Sequence, residues 1–182
     1  MEKLISPLQT AFLLGQKGIE NAIIVKELIH SISKKKGKVG YMEIKIDLEK
    51  AYDKLEWSFI RDMLLRINLS VDLIDLIMSC VSLVSPSILF NGVPLEPIFP
   101  LRGVRQGHPL SPYLLILYIN FLDQLIEEKC NNKQWNPVKA LQNGPAFSHL
   151  MFADNLVLFA RADHFNCSTI RDFLDEFAQA KR

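Results

Sequence analysis

Two aspartates, Asp47 and Asp154, stand 107 positions apart in a chain of 182 residues, and each ends or interrupts an apolar run. Asp47 closes the alternating stretch YMEIKID. Asp154 lies in the polar break Ala153-Asp154-Asn155 between SHLMF and LVLFA. Apolar runs on either side of an Asp/Asn break predict a β-hairpin. A carboxylate mounted on strands is held rigidly, which a metal site requires. Two carboxylates on neighbouring strands suit a hard divalent cation, since magnesium typically binds one or two carboxylates plus substrate phosphates. Two such ions about 3.5–4 Å apart stabilise the attacking and leaving oxygens of phosphoryl transfer. Pattern alone favours a plainer account, in which Asp47 caps a helix and Asp154 makes a turn.

The elements around these residues follow from periodicity. Residues 20–33 carry Ile24, Leu28 and Ile32 at helical spacing. From Tyr41 the chain alternates, with Met42, Ile44 and Ile46 on one side and Glu43, Lys45 and Asp47 on the other, which predicts a strand. Helical patterns follow over about 50–66 and 71–83. Asn91-Gly92 after SILF predicts a tight hairpin. Segment 94–112 holds five prolines and two of the chain's eight glycines, so it cannot be regular. A long loop between well-patterned elements is usually functional. Ser111-Pro112 then opens a helix reaching about Lys129, with serine as N-cap and proline first in the helix. Residues 130–146 read as a polar loop, 147–161 as the hairpin, and 165–181 as a last helix. Interspersed strands and helices without a strict βαβ repeat make the fold class α+β.

With 49% hydrophobic residues the chain can bury a substantial core. Its net charge of +1 argues against nucleic-acid binding over the whole surface but leaves room for a local basic groove. Lys34-Lys35-Lys36-Gly37-Lys38 reads as a solvated turn. Cys80, Cys130 and Cys167 form no CxxC pair, so they read as reduced packing residues. No apolar run approaches the roughly 20 residues of a membrane span, and no secretory signal is visible. A nuclear or cytoplasmic location is expected.

Three ordered stretches, DLEKAYDKLEW (47–57), RGVRQGHPLSP (102–112) and FADN (152–155), resemble consecutive motifs of reverse transcriptases. The likeness is to LINE-type (non-LTR) retrotransposon enzymes such as those of plant genomes. It extends upstream through QTAFLLG (9–15), Glu20-Asn21 and Glu27–His30, so it covers residues 8 to 162. The resemblance implies a polymerase-type fold: partial fingers in 1–40, and a palm in 41–182 whose antiparallel sheet packs on helices. Residues 68–100 would return to the fingers. It also implies an RNA template, a DNA primer and deoxynucleoside triphosphates as partners, and magnesium or manganese as cofactor.

Residue by residue, Asp47 is similar to the family's first catalytic aspartate. Leu48 matches the position whose backbone carbonyl reaches a metal. Asp154 and Asn155 match the catalytic hairpin. Tyr52 matches the aromatic beneath the sugar of the incoming nucleotide, where a flat ring would clash with a 2′-hydroxyl. Arg105, Gln106 and Gly107 match the loop shaping the nucleotide pocket. Gln106 would donate and accept hydrogen bonds there, and Gly107 would let the backbone approach closely. Asp53, Glu56 and Trp57 fit as packing and capping residues.

The departures count too. The family's tip usually reads FADD, and Asn155 removes one negative charge from it. His108 replaces an aspartate, and Gln16 stands where an arginine is common. The chain ends 27 residues after Asn155, which leaves no room for the family's thumb. The expectation is therefore a reverse transcriptase domain with weak or no turnover. The alternative is a non-catalytic retroelement remnant that binds RNA or a protein partner.

Overall fold

The computed structural model describes residues 5–6, 8–9, 18–35, 37–38, 40–141 and 144–179. Residues 10–17, which hold most of the QTAFLLG likeness and Gln16, lie outside them. In order the elements are α1 (Gly18–Lys34), β1 (Tyr41–Asp47), α2 (Trp57–Arg66), α3 (Val71–Ser82), β2 (Leu89–Phe90) and β3 (Val93–Pro94). They continue with α4 (Ser111–Asn131), β4 (Val138–Lys139), β5 (Ala146–Phe147), β6 (His149–Phe152), β7 (Asn155–Arg161) and α5 (His164–Gln179). Two compact units result, one from residues 1–49 and 115–180, the other built on residues 50–114. The α+β expectation holds. No helix among the described residues is long and apolar enough to cross a membrane.

The first unit is built on the antiparallel sheet β1-β7-β6. β7 is central, and its seven residues pair along the full length of β1, from Tyr41 opposite Arg161 to Asp47 opposite Asn155. Cross-strand partners share a face. Met42, Ile44 and Ile46 therefore stand with Ala160, Leu158 and Leu156, while Glu43, Lys45 and Asp47 stand with Phe159, Val157 and Asn155. β1 is an edge strand, and its polar side stays exposed as the alternation predicts. α1 covers the second face over β6 and β7, where Leu28 joins Leu150, Phe159 and Val138 in a buried cluster flanked by Ile24, Val25 and Ile32. On the first face His149 pairs with Asp123 of α4. α5 packs beside α4, with Tyr118 and Phe177 ring centroids 5.5 Å apart.

Some expectations need correction here. Residues 130–146 are not simply a loop: β4 and β5 pair, and Trp135 is buried with its indole N–H donating to the Phe159 carbonyl at 3.0 Å. The hairpin break is two residues, not three, because Asn155 already pairs with Phe152. Cys80 and Cys167 are exposed, although the Cys167 thiol meets the Met42 sulfur at 3.7 Å; only Cys130 is half-buried, and burial raises its thiol pKa. In the basic run, the Lys35 ammonium sits 4.7 Å over the Tyr41 ring.

The second unit holds α2, α3 and the β2–β3 hairpin. Ile60, Met63, Leu64 and Ile74 form its buried faces. Asn91 (φ 48°) and Gly92 (φ 80°) both take left-handed backbone in the hairpin turn, as an Asn-Gly turn predicts. The helix expected from residue 50 starts at Trp57. Lys50 adopts φ 53° and its carbonyl accepts from the Asp53 and Lys54 amides, so residues 50–54 form a tight turn instead. Leu55, outside the helix, is buried all the same.

Candidate active site

β1 and β7 bring the two sequence-distant aspartates together. Asp47 lies directly opposite Asn155, and the next amide, Leu48 N–H, donates to the Asp154 carbonyl at 3.2 Å. Opposed residues in antiparallel strands have Cα atoms about 4.5–5.5 Å apart. The Asp47 side chain is exposed, and among the described residues it takes no salt bridge or side-chain hydrogen bond. Asp154 and Asn155 are half-exposed, and the Asn155 amide donates to Asp154 Oδ1 at 3.2 Å. Leu48 is buried at the strand end.

The turn itself is Ala153-Asp154, and Ala153 holds φ 50°. Left-handed backbone costs an L-residue with a Cβ about 1–2 kcal/mol, and such outliers persist only where surroundings over-determine them. The surroundings are visible. The Gln9 side chain accepts from the Ala153 amide at 3.2 Å and its own amide donates to the Ala153 carbonyl at 3.5 Å. Asn21 of α1 donates to the Met151 carbonyl at 2.9 Å and to the Leu8 carbonyl at 2.7 Å. Met151 N–H in turn donates to Leu8 O at 3.1 Å. Sequence reasoning noted Gln9 and Asn21 only as part of a likeness and gave them no role. A single buried amide carries no periodic signal.

Carboxylate and carbonyl oxygens are the kind of donor a magnesium ion takes. Two carboxylates and a backbone carbonyl lie at one end of a three-stranded sheet, and magnesium completes its shell with water and substrate phosphate. Among the described residues no group of three or more His, Cys, Asp or Glu could hold a metal on protein ligands alone.

Tyr52, Arg105, Gln106 and Gly107 belong to the second unit. Tyr52 lies in the 50–54 turn, not on a helix face, and its carbonyl accepts from Val104 N–H at 2.8 Å. The structure thus brings Tyr52 to the loop that carries Arg105 and Gln106, both exposed. Two more bonds stitch this loop down: Gly103 N–H to Leu55 O at 2.7 Å, and Trp57 Nε1–H to Gly103 O at 2.8 Å. Arg102 and Glu56 form a salt bridge at 3.2 Å.

Within the protein, the glycine in tight contact is Gly103. A Cβ on Gly103 would meet the Asp53 carbonyl at 2.9 Å, whereas one on Gly107 meets nothing within 4 Å. Gly107 is needed for its φ of 84°. His108 accepts the Leu110 amide on Nδ1 at 3.2 Å, a turn contact that a carboxylate at this position would also make. Its departure from the family pattern therefore leaves the local turn satisfied. α4 begins at Ser111 itself, so Pro112 is second in the helix, where its missing N–H is still no loss. The Ser111 hydroxyl donates to the Arg105 carbonyl at 2.6 Å.

Comparison with known proteins identifies the family and the fold. The family model "Reverse transcriptase (RNA-dependent DNA polymerase)" matches residues 1–181. The Pol polyprotein of the type-2 retrotransposable element R2DM of Drosophila melanogaster is 32% identical over 154 residues, covering 85% of this chain and 14% of that protein. An uncharacterised mitochondrial protein of Arabidopsis thaliana is 39% identical over 67 residues, 37% of this chain and 55% of that one. The chain therefore spans only 55% and 14% of these two relatives. Among solved structures, telomerase of Candida albicans in complex with a fragment of telomeric RNA superposes with TM-score 0.65 at 14% identity, over 96% of this chain and 30% of that one. Apo telomerase of Candida tropicalis gives 0.63 at 16% identity, over 87% and 31%. These two show a shared fold. With Asp47 paired to Asn155 across β1 and β7, a family match over 181 of 182 residues and Pol relatives from R2 elements, the chain belongs to the reverse transcriptase (RNA-dependent DNA polymerase) family, on its non-LTR retrotransposon side.

Proposed function

We propose that this chain carries the nucleotide-addition site of a reverse transcriptase, extending a DNA primer on an RNA template with deoxynucleoside triphosphates. The observation that carries the reading is the β1–β7 register, which sets Asp47 opposite Asn155 and ties Leu48 to Asp154. In the reaction the primer 3′-oxygen bonds to the α-phosphorus, the bond to the β-phosphate bridge breaks, and pyrophosphate leaves with the hydroxyl proton passing to solvent. Asp47, Asp154 and the Leu48 carbonyl would hold magnesium or manganese. A divalent ion there supplies charge that stabilises the attacking and leaving oxygens. Tyr52 would lie beneath the sugar, and Arg105, Gln106 and Gly107 would shape the nucleotide pocket. The Val104–Tyr52 hydrogen bond supports treating the two as one pocket wall. In domain terms we assign 1–40 to partial fingers and 41–182 to the palm, with 68–100 returning to the fingers.

Asn155 favours a second reading. Its amide occupies an Asp154 oxygen and brings no charge of its own to a site that must concentrate cations. Turnover would then be weak or absent, and the palm would bind RNA, or a protein partner, without chemistry. Primer extension with magnesium or manganese separates the two readings. Incorporation lost in Asp47→Ala supports the enzyme, and activity gained in Asn155→Asp traces weakness to the tip. If neither form extends a primer while RNA binding falls steeply with salt, the binding reading stands.

A further inference from the structure

The tip that presents Asp154 depends on a residue in an unfavourable backbone conformation, and two buried side-chain amides from outside the hairpin hold its two sides. Gln9 is 1% exposed and Asn21 6% exposed. Gln9 reaches across 144 positions of sequence to bond both the N–H and the C=O of Ala153. That N–H lies outside the β6–β7 ladder, whose last pair is Phe152 with Asn155. Asn21 spans the Met151 and Leu8 carbonyls, joining the segment beside β6 to the strand that leads into the turn. Both side chains grip backbone within three residues of Asp154.

We propose that Gln9 and Asn21 are positioning residues, an amide clamp that fixes the Ala153-Asp154 turn in the geometry that lets Asp154 share a metal ion with Asp47. The functional half of this inference rests on the reading given under Proposed function; the clamp itself does not. Glutamine is suited because it donates and accepts at once. A glutamate at position 9 keeps the acceptor for the Ala153 amide and loses the donor. An aspartate at position 21 loses both donations.

The test uses Gln9→Ala, Gln9→Glu and Asn21→Asp in the full chain, in both the Asn155 parent and an Asn155→Asp background. Three readouts apply: amide exchange at residues 151–155, Mn2+ affinity by electron paramagnetic resonance, and primer extension resolved into kcat and KM. Outer partners of metal ligands typically alter affinity or activity about 10–100-fold. Gln9→Ala is expected to speed exchange at Ala153 at least about tenfold, with no comparable change in β1 or α4. Mn2+ affinity should fall by a similar factor, and kcat should fall with KM for the nucleotide held within about twofold. Gln9→Glu should keep Ala153 protected and fall between parent and alanine in Mn2+ affinity. It also serves as the folded variant should Gln9→Ala not fold. Unchanged exchange at Ala153, or faster exchange spread evenly over the sheet, overturns the clamp. Faster local exchange with unaltered Mn2+ affinity overturns its link to the metal site. If the Asn155→Asp background extends no primer, the polymerase reading fails on its own, and the exchange and Mn2+ measurements still decide the clamp.

Discussion

His149 Nε2 lies 2.6 Å from Asp123 Oδ1, with both side chains buried, so the middle of α4 is bonded to the first residue of β6. The other ring nitrogen meets the Ser148 hydroxyl at 2.9 Å. Every polar atom of this imidazole is thus satisfied, as burial demands. The pair joins the hairpin to the helix on the face of the sheet opposite α1.

Removing one partner strands the other. Asp123→Ala is expected to destabilise the fold by about 1–3 kcal/mol, the usual cost of a buried polar group left unsatisfied. Asp123→Asn keeps an acceptor and should lose less. Urea denaturation checks this through the transition midpoint at constant slope. Equal midpoints for the parent and Asp123→Ala would refute it.

The two loop glycines should respond differently. Gly103→Ala forces a Cβ to 2.9 Å from the Asp53 carbonyl at φ 89°, so steric and conformational costs combine; a loss of about 1–3 kcal/mol is expected. Gly107→Ala meets open space and carries only the conformational cost at φ 84°, about 1 kcal/mol. Thermal unfolding should therefore rank Gly103→Ala below Gly107→Ala. The reverse order would show that the 102–105 loop is not held as described.

Asn155→Asp replaces a hydrogen-bond donor to Asp154 with a second negative charge beside it. Without divalent metal the variant should melt below the parent. With manganese at about 100 times its Kd, a metal-binding variant gains about 2.7 kcal/mol by linkage, and the shift should exceed that of the parent. Identical manganese shifts in the two proteins would exclude a role for position 155 in the charge of the site.

Asp163 accepts the Asn166 amide at 2.9 Å and its side-chain amide at 2.8 Å, capping α5. The backbone hydrogen bond from Asn166 is the main cause holding its carboxyl below the usual range. A depressed folded pKa contributes stability that is present above the unfolded value, about 3.9, and is lost as pH falls through the folded one. Asp163→Ala should accordingly be less stable than the parent at pH 7, with the gap closing below about pH 4. A gap that stays constant into acid would remove the charge from the explanation.

Much of the sheet was legible in the sequence because period two is a local signal. The 41–47 alternation and the 147–161 hairpin gave β1, β6 and β7 to within a residue or two, and Asn91-Gly92 gave its turn. The 50–54 turn was not legible, since its residues keep apparent helical spacing. Long-range bonds fix it, among them Val104 N–H to Tyr52 O. Trp135 was passed over because a buried ring inside a polar stretch carries no pattern. The resemblance alone pointed to the two aspartates, Tyr52 and the glutamine loop. The amides behind the hairpin and the distinct tasks of Gly103 and Gly107 required coordinates.

The unbroken seven-residue ladder from Tyr41 to Asp47 also limits how this gene segment can drift. Deleting one codon in it, that of Lys45 for instance, could keep Asp47 opposite Asn155 only by rotating every earlier side chain to the other face. Ile44 would then point outward, and Glu43 would be driven against Leu158, which has no exposed surface. Point changes at Glu43 or Lys45 cost little by comparison, so length rather than composition is the quantity β1 must preserve.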